Sequence, residues 1–352
     1  PRSRSNDALR IEASSRIAQL GWREGLSAEQ ASPYIREASE WAREIDDSIV
    51  PLLLFVEARM TQVNGGGADT YVRMIRRAME IADPERDAGR IATLNAALSH
   101  GYGWAGLLRQ ALMASDAALA GVSSISDVDH EFLGYNVEQW TISLRGRILV
   151  RLGMFDQARA CFEQMIGLEA LGDPTVHFVP HFGYVDLAWC LGDAALAAEH
   201  AAEVVAIAER HPSAYMLLYA STCEGMAYAI GRDYTRAARS FDLSLRVLQD
   251  TRAAREAEPE ILAYSADCHA RLGDERQAIS FARRAIASAR ARDGRLPECR
   301  ASVTLAATLL AAGESAAAEE AKSLLRRAET LIHVTGARIY EPLLQEARAC
   351  AG

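Results

Sequence analysis

The sequence is poor in aromatic residues and has no long apolar segment. Aromatic side chains make up 7% of its 352 residues, whereas the 50% that are hydrophobic are rich in Ala and Leu. This composition favours closely packed helices over a β-sheet. The longest apolar run, Ile49 to Val56, contains Pro51 and is far too short to cross a bilayer. No basic start followed by an apolar core marks a signal peptide, so we expect a helical protein without a membrane partner.

Positively charged residues are fewer than negatively charged ones. The net charge is −9, and a nucleic-acid-binding surface would need a basic stripe. Arginine clusters such as Arg76-Arg77 and Arg283-Arg284 fall in the middle of helical patterns, where they are most simply solvated faces. We therefore expect no nucleic-acid partner.

Paired cysteines are absent as well. The six cysteines stand 29 to 51 residues apart, which fits neither metal-ligand pairs nor a compact disulfide framework. Free thiols inside helices predict a reducing, cytoplasmic location. The cysteines are Cys161, Cys190, Cys223, Cys268, Cys299 and Cys350.

A repeat of about 40 residues organises what is present. Five alanines follow one another at intervals of 39, 40, 41 and 40 residues, each just beyond a turn. They are Ala158, Ala197, Ala237, Ala278 and Ala318, and Ala38 and Ala78 repeat the same step near the N-terminus. Two amphipathic helices per unit predict a solenoid, which offers binding surface more often than chemistry.

Each turn between the two helices of a unit has a glycine, which ends a helix by adopting the left-handed conformation. These glycines are Gly153, Gly192, Gly231, Gly273 and Gly313. In several units an Asp follows and predicts an N-cap for the next helix, as at Asp193, Asp233 and Asp274.

A small-then-bulky pattern follows the turn. The residue four positions after each alanine is Phe162, Ala201, Phe241 or Ala282, whereas the eighth unit has Lys322. Gly146, Gly225, Ala266 and Ala306 occupy a small position in the first helix, from which Val185 departs. These units resemble the tetratricopeptide repeat, and the sixth matches best through Gly225, Tyr228, Asp233, Tyr234, Ala237 and Phe241. The resemblance implies an all-α, right-handed superhelical solenoid of about eight hairpins with a C-terminal capping helix.

The N-terminal third continues the hairpins less regularly. Breaks are expected at Gly65 to Gly67 and at Gly101 to Gly103. The helices expected there are Asp7–Leu20, Ala28–Ile45, Ser48–Val63, Thr70–Ile81, Ala88–Tyr102 and Trp104–Leu119. We expect N-terminal hairpins over 1–120, a loop or hinge over 121–129, repeats over 130–335 and a cap over 336–352.

No constellation points to catalysis, and we expect no cofactor. His177 and His181 have metal-ligand spacing, but Pro180 lies between them, and they more simply start the first helix of the fifth unit. The glycines at 65–67 lack the Lys-Ser/Thr of a phosphate loop and predict a plain loop. An enzyme on this array would need a buried acid–base group with a perturbed pKa, which the sequence does not reveal.

Counting back from each turn in the register of the tetratricopeptide family gives a concave face for partner binding. Aromatic and Arg residues on an open face are typical of interaction hot spots. The alternative for Trp140, Phe182 and Trp189 is that they pack between repeats. The candidate residues are Trp140, Arg147, Arg151, Phe182, Asp186, Trp189, Tyr219, Met226, Glu260, Asp267, Arg271 and Arg300.

The segment Thr335 to Leu344, with its GAR-x-YEP pattern, resembles the end of helical-repeat regions in large bacterial signalling proteins. In these, a nucleotidyl-cyclase or transcription-regulator domain precedes a signal-transducing ATPase. The chain begins at Pro1 without methionine, which predicts a segment of a larger protein or a processed chain. The resemblance implies a non-catalytic sensor that binds a peptide or partner protein. The alternatives are a small-molecule effector site and a homodimer through stacked repeat ends.

Overall fold

The structure, a computed structural model, describes residues 4–21, 23, 25–45, 47–166, 168, 174–312 and 315–349. Within these ranges the regular elements are all helical, with short 3-10 turns between some helices. The helices are α1 Arg4–Gly21, α2 Ala28–Ile45, α3 Val50–Val63, α4 Ala68–Ile81, α5 Ala88–Ala105, α6 Leu108–Ala120, α7 Asp127–Leu133, α8 Val137–Arg151, α9 Phe155–Ile166, α10 Pro174–Leu191, α11 Ala194–Arg210, α12 Ala214–Ile230, α13 Tyr234–Thr251, α14 Glu258–Arg271, α15 Glu275–Ala291, α16 Arg295–Ala311, α17 Ser315–Thr335 and α18 Glu341–Ala349.

The helices pair into a right-handed superhelical solenoid, as expected. Among the described residues the pairs are α1/α2, α3/α4, α5/α6, α8/α9, α10/α11, α12/α13, α14/α15 and α16/α17, with α7 as a short insertion and α18 as the cap. From α8 to α16, each first helix also packs on the first helix of the next hairpin. The first helices therefore form the inner wall of the superhelix, and the second helices form its outside.

The small-then-bulky pattern holds the hairpins together. Ala158, Ala197, Ala237 and Ala278 are fully buried, and the Phe162 and Phe241 rings are buried beside them. A Cβ on Gly146 would lie 2.2 Å from the Phe162 ring, and one on Gly225 would lie 2.6 Å from the Phe241 ring. The aromatic ring thus fills the space that the glycine leaves open.

The eighth hairpin has a different register from the one expected. Ala318 is only half-buried, whereas Ala321 is fully buried and Leu325, four positions later, is 4% exposed. Ala321 and Leu325 therefore form the small-then-bulky pair of this hairpin. The expectation for Ala318 was wrong, and Lys322 is simply an exposed neighbour.

In the turns of the fourth to seventh units, the left-handed residue is the predicted glycine, with one exception. Gly153, Gly192 and Gly273 adopt left-handed φ values of 77°, 68° and 76°. In the sixth unit Arg232 takes that conformation (φ 62°), while Gly231 has φ −72°. Gly313 lies outside the described residues.

The Asp caps are present. Asp193 Oδ1 accepts hydrogen bonds from the amides of Ala195 and Leu196 at 3.1 and 3.0 Å. Asp233 and Asp274 cap α13 and α15 in the same way. These caps satisfy amides that would otherwise be unpaired at the start of each outer helix.

The glycine break expected near residue 102 was misplaced. Helix α5 continues through Gly101 to Ala105, and the left-handed residue is Gly106 (φ 76°). Gly101 lies inside the helix, and a larger residue would not fit there, because a Cβ would be 2.6 Å from the Tyr71 ring. This glycine serves close packing rather than a turn.

The superhelix closes on itself along a line of contacts that we call the seam. It joins turns of the N-terminal hairpins (residues 25, 65–69, 105–106 and 152–153) to loops after the later hairpins (251–255, 292–295 and 335–338). The Ala68 amide donates to the Arg292 carbonyl at 3.0 Å, and Arg295 Nη1 donates to the Ala105 carbonyl at 2.8 Å. The superhelix therefore curves far enough for its N-terminal turns to contact these later loops.

Candidate partner-binding groove

The candidate residues all lie on the inner helices. Trp140, Arg147 and Arg151 are on α8; Phe182, Asp186 and Trp189 on α10; Tyr219 and Met226 on α12; Glu260, Asp267 and Arg271 on α14; and Arg300 on α16. Several of these side chains contact one another, so the inner helices are joined by specific side-chain interactions as well as by packing. Their role in binding remains a prediction.

Arg147 is a charged side chain held inside the groove. Its Nε lies 2.8 Å from Asp186 Oδ2, and the two side chains are 14% and 11% exposed. The guanidinium also lies 3.8 Å from the centroid of the Phe182 ring. Burial disfavours the charge, but Asp186 and Glu260 raise the Arg147 pKa above its usual value. The ion stays charged because its partner is buried with it.

An ion pair bridges the groove between the fourth and seventh hairpins. Arg151 Nη2 lies 3.5 Å from Glu260 Oε1, and the Tyr264 hydroxyl donates to the same oxygen at 3.1 Å. Burial pushes the Glu260 pKa up, but Arg151 and Arg147 outweigh it and hold the pKa below its usual value. The groove is thus divided into two compartments, one on each side of this bridge.

Arg300 organises the compartment toward the C-terminus. Its guanidinium lies 2.5 Å from Asp267 Oδ2 and is sandwiched between the rings of Trp189 and Tyr264, 4.4 and 4.3 Å from their centroids. The Thr304 hydroxyl also donates to Asp267. Arginine suits such a site because its planar group stacks and pairs at once.

A cavity of about 580 Å³ lies in this compartment, between α10, α12, α14, α16 and the cap α18. Arg271 and Glu346 form an ion pair of 3.4 Å beside it, and both side chains are more than half exposed. Its apolar lining includes Met226, Ile230, Val303, Ala307 and Leu343. A partner would meet apolar walls behind a charged rim.

The compartment toward the N-terminus contains a cluster of buried polar and charged side chains. Glu256, in the 3-10 turn Arg255–Ala257, interacts electrostatically with Arg59 and Arg292. Burial raises the Glu256 pKa to about 7, although these two cations oppose the shift. Arg59 in turn interacts with the hydroxyls of Tyr215 and Tyr71. Sequence reasoning missed this cluster, since its members come from α3, α4, α12 and the loop before α14.

Exposure separates the candidates into two groups. Trp140 and Phe182 are 6% and 1% exposed, so these side chains pack in the wall, whereas Met226, although only 3% exposed, also lines the cavity. Trp189 is half-buried at the cavity, where Tyr340 stands 6.2 Å from it. Tyr340 belongs to the GAR-x-YEP pattern, and nothing in the local sequence predicts its place inside the groove.

The histidine pair lies only partly where expected. Helix α10 begins at Pro174, so His177 lies in its first turn, whereas Pro180 and His181 lie further inside the helix. His181 Nδ1 is 2.9 Å from His200 Nδ1. Burial and the neighbouring imidazole of His200 lower the His181 pKa to about 4. The contact between His181 and His200 joins α10 to α11 within the fifth hairpin.

Two further observations concern thiols and membranes. Cys161, Cys190, Cys223, Cys268 and Cys299 are free thiols, and Cys350 lies outside the described residues. Burial raises the pKa of Cys190 to about 12. None of the helices in the described part of the chain combines the length and apolar character needed to traverse a bilayer.

Comparisons with known proteins establish the fold. No family model matches the chain, and no curated protein matches it. It is similar to the crystal structure of a Rap protein complexed with competence and sporulation factor, with a TM-score of 0.60, 12% identity and coverage of 99% of both chains. Aspartyl phosphate phosphatase F from Bacillus subtilis gives a TM-score of 0.47 with 14% identity, covering 99% of this chain and 93% of that one.

The Cut9–Hcn1 structure gives a TM-score of 0.44 with 14% identity, over 91% of this chain and 62% of that one. At these identities, likeness shows the fold alone, and of these three structures the Rap structure has a TM-score above 0.5. The chain therefore has a helical-repeat solenoid fold similar to that of the Rap structure.

Proposed function

We propose that this chain is a non-catalytic recognition module of a larger bacterial signalling protein, located in the cytoplasm, and that it binds a peptide or partner protein on its concave side. The cavity beside Arg300 carries the proposal. Its volume of about 580 Å³ falls in the range of roughly 300–1,000 Å³ typical of ligand pockets. The Rap structure with its bound factor is a case in which a similar fold holds a partner.

The cavity lining suits a peptide that inserts one apolar side chain and places its polar backbone against the charged part of the wall. Met226, Val303 and Leu343 offer apolar contact, while Asp267 and Arg300 lie at the wall with their charges mutually paired. Burying an apolar side chain there contributes about 1.5–3 kcal/mol. The exposed Arg271–Glu346 pair at the rim adds orientation rather than much affinity.

Filling the cavity tests this proposal. A displayed library of random linear peptides is selected on the wild-type protein, and binding of the selected peptides is then measured to Ala307→Trp. Ala307 lines the cavity, whereas the control Ala287→Trp lies on the exposed face of α15. We expect Ala307→Trp to weaken binding at least about tenfold, since one lost apolar contact has that size. Equal binding by the two variants, or no peptide selected, would contradict the proposal.

A second function is favoured by the buried polar cluster: a small-molecule effector site whose superhelix closes over the ligand and regulates an upstream ATPase or cyclase. Buried polar atoms need a partner, whether protein, water or ligand. Arg147 Nη2, Tyr71 Oη and Glu256 Oε2 are buried without a hydrogen-bond partner in the structure. A ligand offering both donors and acceptors fits this set. A metabolite that binds the native state must raise the melting temperature, and a broad panel that never does so would argue against this function.

A further inference from the structure

The start of helix α4 is capped from a distant part of the chain. Its N-cap residue, Gly67, has no side chain to offer. The Asp69 amide instead donates to Asp293 Oδ2 at 3.3 Å, and the Ala68 amide donates to the Arg292 carbonyl at 3.0 Å. A carboxylate at a helix N-terminus both accepts hydrogen bonds and complements the helix dipole. The cap joins residues 224 positions apart, so it holds the seam as well as the helix.

One residue on this side of the seam has an unfavourable backbone. Arg252, Ala254 and Asp293 have φ values of 60°, 52° and 58°, although none is glycine. Arg252 is the C-cap of α13 and Asp293 follows the C-cap of α15, positions where a left-handed residue commonly ends a helix. Ala254 instead precedes a 3-10 turn and is fully buried, so its surroundings hold it in this conformation. Separation of the seam would expose Ala254 and release this strain.

The seam lies beside the buried polar cluster of the N-terminal compartment. The turn Arg255–Ala257 contacts α3, and Glu256 interacts there with Arg59. Separation of the two sides would bring water or a ligand to Glu256 and, beyond it, to the unpartnered Nη2 of Arg147. Each hairpin would remain intact, because its own packing lies on the other side of the inner helices.

We infer that the seam is a gate, held by the Asp293 cap on α4, through which solvent or a ligand reaches the buried polar groups of the N-terminal compartment. The gate serves the effector-binding function proposed above, but its opening can be measured without any ligand. Failure of the gate would leave both binding proposals standing, and failure to find a ligand would leave the gate standing.

Native thiols report the opening. Cys223 is fully buried and lies on the same face of α12 as Tyr219 and Met226, toward the interior. Cys299 is 1% exposed, with its Sγ 3.6 Å from the Ala328 carbonyl within the α16/α17 hairpin. Opening of the gate exposes Cys223 but leaves Cys299 buried, whereas global unfolding exposes both of these thiols.

The experiment follows maleimide labelling of each thiol by mass spectrometry in wild type, Asp293→Ala, Asp293→Asn and Asp274→Ala. Asp274 is the matched control, because it caps α15 from the adjacent position in sequence, with Oδ1 3.1 Å from the Gln277 amide. We expect Asp293→Ala to accelerate Cys223 labelling at least about tenfold, the effect of losing one charge-assisted hydrogen bond. Asp293→Asn keeps an acceptor and should stay within about threefold of wild type.

Asp274→Ala should leave the Cys223 rate near that of wild type. Equal Cys223 rates in Asp293→Ala and Asp274→Ala would overturn the gate. So would a parallel rise at Cys299, which would mean that Asp293 stabilises the whole chain rather than a separate opening.

Discussion

The outer and inner helices carry ion pairs of almost the same length in very different surroundings. On the outside, Arg283 Nη2 lies 2.9 Å from Glu320 Oε2, with side chains 55% and 41% exposed. On the inside, Arg147 Nε lies 2.8 Å from Asp186 Oδ2, with 14% and 11% exposed. Water screens the two charges of the exposed pair, whereas each charge of the buried pair is compensated mainly by the opposite charge beside it. Distance therefore says little about the contribution of an ion pair until its burial is known.

Removal of one member of the inner pair should have the largest effect. Asp186→Ala leaves the Arg147 guanidinium buried without its carboxylate, and we expect a loss of about 3–5 kcal/mol in the free energy of unfolding. Urea denaturation at neutral pH measures it. The double variant Arg147→Met/Asp186→Ala should recover most of the loss, because no uncompensated charge remains. A cost below about 1 kcal/mol for Asp186→Ala would contradict the burial of this pair.

Glu256 tests the inner surface by pH. Its folded pKa is raised from 4.5 to about 7, so ionisation disfavours the folded state. The penalty is absent below about pH 4.5, grows as the pH rises to about 7 and is constant above it. Glu256→Gln should therefore be up to about 3 kcal/mol more stable than wild type at pH 8 and equal to it at pH 4. A stability difference that does not change over this range would show that Glu256 is not buried.

The contact between inner and outer helices should respond to added volume. Gly146→Ala places a Cβ 2.2 Å from the Phe162 ring, and overpacking of this kind costs about 1–3 kcal/mol. The matched control is Gly103→Ala, also within an inner helix, where the nearest atom to the new Cβ is 3.5 Å away. That change should stabilise by about 0.5–1 kcal/mol. Thermal unfolding separates the two, and a gain in stability in both variants would mean that helix propensity outweighs packing at Gly146.

The outer ion pair should have the smallest effect. Glu320→Ala leaves Arg283 in solvent, and we expect a change below about 0.5 kcal/mol in the free energy of unfolding. The same urea measurement gives the value. A loss comparable to that of Asp186→Ala would remove the distinction between the two faces.

The outer helices and the turns were largely predictable, because their signals are local. Alanine followed by a bulky residue, and Asp beside a turn, mark contacts within a single hairpin. The errors arose where tertiary packing decided. Gly101 packs against Tyr71, and the register of the eighth hairpin, where Ala321 replaces Ala318, became visible only through burial.

The inner surface was only partly predictable. The register of the repeat placed Arg151 and Glu260 on the same face, but their contact across the groove depends on how tightly the superhelix winds. The same winding brings Tyr340 and Glu256 inside and forms the seam. No local pattern encodes this curvature, because it accumulates from small rotations between successive hairpins.

The closed arrangement of the inner helices is tested most directly by residue-resolved hydrogen exchange at the Ala68 and Asp69 amides. In an isolated helix the first amides have no partner and exchange almost freely. The seam gives both amides acceptors from residues 292–293, so we expect exchange at least about tenfold slower than in an unstructured peptide. Exchange of both amides at the unstructured rate, with the middle of α4 still protected, would show that the superhelix is open in solution and would contradict the seam.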